Sequence, residues 1–146
     1  MTTRPVPASS LVAPTSAIPI WIRIVVSLGA LLTAAGAVLA LVRPAMLVSP
    51  QAQITEAVRI YAGYLVSRNL AISILLITLL MLRAKRPLSN LMVLVAFIQF
   101  LDVCIDLAEG RWTIVPGVLA FGILFLVAAS HLIGQPFWKP SAWLRE

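Results

Sequence analysis

The chain has 146 residues, 61% hydrophobic and 11% charged, proportions far from those of a soluble domain. Its formal net charge is +6, yet the Lys and Arg residues fall at the ends of apolar runs rather than on an amphipathic polar face. That distribution argues against a nucleic-acid partner and marks the cations as topology and headgroup anchors in contact with membrane lipids.

The expected fold is all-α, a polytopic membrane protein folded as a four-transmembrane-helix bundle, because the length allows roughly four spans of about 20 residues each. Residues 1–19 hold Pro5, Pro7, Pro14 and Pro19 among Ser, Thr and Ala. Such a composition neither forms a helix nor buries a core, so a disordered tail is expected there. The membrane domain follows over residues 20–134. Its first span, residues 21–42, carries Arg23 near its start and is closed by Arg43-Pro44. A cleaved signal peptide is the alternative, with Arg4 and Arg23 as its charged flank and Ala35-Gly36-Ala37 as the cleavage site. The apolar run is longer than a signal h-region and continues past that site, which favours the span. Within it Gly29, Thr33, Gly36 and Ala40 recur at three- and four-residue steps. Small residues so spaced let helices approach closely; packing against the other spans is the expected use, and a homo-oligomer face the alternative.

Ser49-Pro50 has the form of a helix start. From Ile54 the positions Ile54, Val58, Tyr61 and Leu65, with Glu56 and Arg59 on another face, read as an amphipathic lead-in running unbroken into a second span, residues 61–82. Arg83-Ala84-Lys85-Arg86-Pro87 forms a tight basic turn before a third span, residues 88–108. Glu109-Gly110-Arg111 makes the next turn, Trp112 marks an interface, and the fourth span covers residues 112–133, with Pro116 tolerated in its first turn. Residues 135–146, with Trp138, Lys139, Trp143 and Arg145, form an interfacial C-terminal tail.

Four spans put both termini and the 83–86 turn on one side, together with Arg4, Arg23, Arg83, Lys85, Arg86, Lys139 and Arg145. The other side has Arg43, Arg59 and Arg111. The positive-inside rule then predicts a multi-pass protein of the cell (inner) membrane with both termini cytoplasmic.

Charges at membrane depth are costly and usually mark a site. Arg68 falls roughly 10 Å below the outer boundary and Asp102 at a similar depth on the next helix, counting about 1.5 Å per residue. Gln99, Asp102 and Asp106 share one helical face, as do Tyr61, Tyr64 and Arg68, and the two faces are expected to look at each other, with Asn69 joining from the side. Asp106 is expected nearer water, with Glu109 and Arg111 at the rim. The candidate ligand-binding or ion-pair cluster is therefore Tyr64, Arg68, Asn69, Gln99, Asp102 and Asp106. A plain salt bridge fixing helix register is the simpler reading. Against it, two carboxylates, two carboxamides and one arginine exceed what one bridge requires, and carboxylates a turn apart repel when both are ionised. No catalytic residue is assigned.

His131 lies at the opposite depth from the aspartates, which argues against a shared metal site, and the single Cys104 permits no cysteine-based one. No Gly-rich phosphate loop, nucleophile elbow or dinucleotide fingerprint is present in the sequence, and no cofactor is expected.

The segment Arg59-Ile-Tyr-Ala-Gly-Tyr-Leu-Val-Ser-Arg68-Asn-Leu-Ala-Ile, followed by a basic turn and a span bearing Asp102, resembles small four-span bacterial membrane proteins of unknown function near the DoxX-like group. The resemblance covers about residues 20–133. It implies a four-helix membrane bundle with a polar site at Arg68, Asn69 and Asp102, and it carries no substrate with it. The favoured reading is a non-enzymatic membrane protein that binds a small or lipidic ligand in the outer half of the bundle, or serves as a subunit of a membrane complex. The alternatives are a membrane enzyme acting on an isoprenoid, sterol-like or quinone substrate, and a small proton-coupled transporter. Small multidrug transporters carry an acid in the first span, and here that span has none.

Overall fold

In the computed structural model, residues 17–43 and 55–139 are described. They form four helices and no strand: α1 (Ile20–Val42), α2 (Glu56–Met81), α3 (Lys85–Ala108) and α4 (Val115–Ile133). Each is long and apolar enough to cross a bilayer. The tail before Ala17, the Ser49-Pro50 helix start, and Trp143 and Arg145 lie outside the described residues.

Local chemistry sets the helix ends. Thr55 caps α2, its Oγ1 accepting the Val58 N–H at 3.4 Å, and Glu56 complements the positive helix end. The lead-in and second span are one continuous helix, as the sequence pattern predicts. Helix α3 begins earlier than residue 88. Pro87 sits in its first turn, where no intrahelical N–H donor is needed, so Lys85 and Arg86 belong to the helix rather than the turn. Helix α4 begins later than residue 112. Residues 112–114 form a turn, and Pro116 falls in the first helical turn.

The α2–α3 and α3–α4 turns share one geometry. After α2, Ala84 N–H donates to Leu79 C=O (3.0 Å) and Arg83 N–H to Leu80 C=O (3.1 Å). After α3, Arg111 N–H donates to Asp106 C=O (2.8 Å) and Gly110 N–H to Leu107 C=O (3.2 Å). Both are Schellman turns, which need one residue at positive φ. Gly110 (φ 70°) fills that place in the second turn, and Arg83 (φ 54°), a non-glycine residue, fills it in the first.

The helices run up and down as two antiparallel hairpins, α1–α2 and α3–α4. Packing is closest within each hairpin and looser between α2 and α3 and between α1 and α4. A serine joins each hairpin internally: Ser73 Oγ on α2 shares its one proton between Ala30 C=O on α1 (3.0 Å) and Asn69 C=O of its own helix (2.8 Å), and Ser89 Oγ on α3 donates to Ala129 C=O on α4 (3.0 Å). Between the hairpins, Phe125 of α4 lies against Gly29 of α1, and the rings of Trp21 and His131 meet at 5.4 Å between centroids. Of the small residues of α1, Gly29, Ala30, Ala37 and Ala40 are buried within the chain, and Thr33, Ala34 and Gly36 are half-buried.

Burial is unequal along the bundle. The fully buried large side chains Ile22, Val26, Leu76, Leu88, Met92 and Phe125 occupy the half that ends at the α2–α3 turn. The half that ends at the α3–α4 turn is less filled, and Arg68, Asn69, Gln99, Asp102 and Asp106 lie in it.

Candidate functional site

Helices α2 and α3 bring Arg68 and Asp102 together, with Nη2 3.7 Å from Oδ2 and both side chains partly exposed (43% and 38%). The separation exceeds hydrogen-bond distance, so this is a loose ion pair. Asp106, one turn further along α3, does not share Arg68. Its carboxylate is 3.4 Å from Arg111 Nε and its side chain is only 10% exposed.

The Schellman turn explains that pairing. It sets the backbone N–H of Arg111 on the Asp106 carbonyl, which carries the guanidinium over the Asp106 carboxylate. Two corrections to the sequence reading follow. Asp106 is buried rather than nearer water, and Arg111, placed only at the rim, supplies a second positive charge. Two carboxylates thus face two guanidinium groups.

Tyr64 does not join the cluster; it is 69% exposed on the bundle surface, and Tyr61 is 73% exposed. The inward face of α2 runs through Ile72, Ser73, Leu76 and Leu80. That face passes through Asn69, five residues from Tyr64 and about 140° around the helix from it. Arg68 sits at the flank of the same face, and its long side chain closes the distance to Asp102.

A cavity of about 560 Å³ occupies this half of the bundle, with walls from all four helices and from the α3–α4 turn. Leu32, Ile72, Val95, Ile98, Val118 and Phe121 give it an apolar body, and Thr33, Asn69, Gln99, Asp102 and Thr113 supply its polar groups. Thr33 Oγ1 already donates to Gly29 C=O at 2.8 Å. The carboxamides of Asn69 and Gln99 have no side-chain hydrogen-bond partner among the described residues. Two glycines, Gly36 and Gly117, contribute open wall: a Cβ at Gly36 would come no nearer than 4.0 Å to Asn69 Nδ2, and one at Gly117 would meet nothing within 4 Å.

The sequence reading finds Asn69, Gln99 and Asp102 in this wall. It misses the α1 and α4 contributions, which are mostly small or apolar residues with no distinguishing chemistry. Among the described residues no three of His, Cys, Asp and Glu gather as a metal cluster. His131 lies at the far end of the bundle beside Trp21.

The sequence matches no protein-family model, no curated protein and no solved structure. Function is therefore read from the chemistry of the cavity itself.

Proposed function

We propose that this integral membrane protein binds a small amphipathic lipid, with an apolar body and a hydrogen-bonding head, in the cavity between its hairpins. One observation carries the reading: Asn69 and Gln99 present two unpaired carboxamides to an apolar cavity that also holds Asp102. Both side chains are half-buried at the cavity wall, open to donate to a ligand carbonyl or accept from a ligand hydroxyl. The ion pair at Arg68 and Asp102 closes one edge of the polar end, leaving the carboxamides to recognise a neutral head. The apolar wall takes the ligand's hydrocarbon part. This is a binding role and requires no bond to be made or broken.

The charge distribution supports a matching topology. Arg23, Arg83, Lys85, Arg86 and Lys139 lie at the end of the α2–α3 turn, against Arg43, Arg59 and Arg111 at the other. With both termini in the cytoplasm the cavity falls in the outer leaflet.

The test is to purify the protein in mild detergent, extract bound lipids and identify them by mass spectrometry, comparing wild type with Gly117→Leu and Gln99→Leu. A Cβ at Gly117 would meet nothing within 4 Å, so the substitution begins without a clash. Retention of a defined small lipid by the wild type and its loss from both variants at unchanged thermal stability is the expected result. Equal retention by all three proteins rejects the cavity as the binding site.

A further inference from the structure

At the opposite end of the bundle, α1 and the end of α2 enclose a second groove, of about 650 Å³. Its floor is hydrocarbon, from Ile24, Leu28, Leu31 and Leu80, and its rim carries Arg23 and Arg83. Both arginines are exposed, and neither has an ion-pair or hydrogen-bond partner for its side chain among the described residues. Among the described residues no acidic one lines the groove.

Arg83 carries a second signal. It stands at the positive-φ position of its Schellman turn, where the corresponding turn after α3 has Gly110. A left-handed conformation at a non-glycine residue is strained, because Cβ crowds the following carbonyl oxygen. The backbone would be served better by glycine there, so what arginine adds is its side chain, delivered to the rim of the groove. Two unpaired guanidinium groups above an apolar trench at a bilayer interface match one kind of molecule. The cations take a phosphate, and the trench takes an acyl chain.

We propose that this groove is a binding site for an anionic phospholipid, with Arg23 and Arg83 clasping the headgroup phosphate and the acyl chain lying along Ile24, Leu28 and Leu31. The site is separate from the cavity between the hairpins and holds whether or not that cavity binds a ligand.

The experiment is native mass spectrometry of the full chain in detergent, titrated with phosphatidylglycerol or with phosphatidylcholine of the same chains. Wild type is expected to retain phosphatidylglycerol about 10-fold better than phosphatidylcholine, and Arg23→Gln and Arg83→Gly should each reduce that preference to about 2-fold or less. Arg83→Gly is informative because it suits the turn and removes only the side chain, so a lost preference at unchanged or raised thermal stability cannot be ascribed to misfolding. Equal retention of the two lipids by the wild type, as expected if a protein segment rather than a lipid fills the groove, overturns the proposal. So does a preference that survives in both variants.

Discussion

Gly29 is a point of close approach between the two hairpins, and replacing it tests the packing directly. A Cβ there would stand 2.8 Å from Phe125 Cε1 and closer still to Cζ. Phe125 is 2% exposed and packs edge-on against Phe121 at 6.0 Å between ring centroids, so its ring has little room to retreat. Overpacking of this kind costs about 1–3 kcal/mol. The substitution also brings a gain, because alanine is better than glycine inside a helix by roughly 0.5–1 kcal/mol. Gly36→Ala on the same helix has that gain without the clash. The difference between the two variants cancels helix propensity, and it should leave Gly29→Ala about 1–3 kcal/mol less stable than Gly36→Ala. Denaturant-induced unfolding of the two variants in one detergent, followed by tryptophan fluorescence, measures that difference. Phe125→Leu added to Gly29→Ala should recover part of the loss by making room for the new methyl group. Equal stability of the two alanine variants would mean that α1 and α4 are not held at this distance, and the contact between hairpins would have to be redrawn.

Double-mutant cycles should rank the two ion pairs: Asp106 with Arg111, nearly buried on the carboxylate side, should couple by roughly 1–3 kcal/mol, and the looser Arg68 with Asp102 by about 1 kcal/mol or less. The reverse order in unfolding measurements would contradict the geometry. Ser73→Ala and Ser89→Ala each remove one hydrogen bond inside a hairpin and should cost about 0.6 kcal/mol apiece, with a combined loss close to the sum because the bonds lie in different hairpins; a strongly non-additive pair would argue against separate hairpins. Gly110→Ala should destabilise by about 1 kcal/mol through its positive φ and, by disturbing the turn that seats Arg111, should reduce the Asp106–Arg111 coupling measured in the same cycle. A change in stability with that coupling intact would separate the turn from the ion pair.

The spans were legible because each is a long apolar run bounded by Arg, Pro or Gly, and a membrane leaves such a run few alternatives to a helix. Their ends were less so. Pro87 and Pro116 mark a first turn, and the sequence alone does not say how many residues precede the proline within that turn. The Arg68–Asp102 pair was readable from depth. The Asp106–Arg111 pair had a signal that depth could not show: a glycine just past a helix end places the residues before and after it as a Schellman turn does, and Asp106 and Arg111 occupy its two contacting positions. Tyr64 shows the limit of pairing residues by spacing alone. It lies four residues from Arg68, but the inward face of α2 passes through Asn69, and an arginine can reach round a helix where a tyrosine cannot.

The serine bonds within each hairpin bear on how the chain is made. Synthesis delivers α1 and α2 first, and Ser73 can reach the Ala30 carbonyl with no other part of the protein present. Arg68, in contrast, waits without its carboxylate until Asp102 has been inserted. The first hairpin is thus a packed unit carrying an uncompensated charge, and arrival of the second neutralises it. Assembly inside the lipid is thereby biased toward the partner that brings an acid to the right depth.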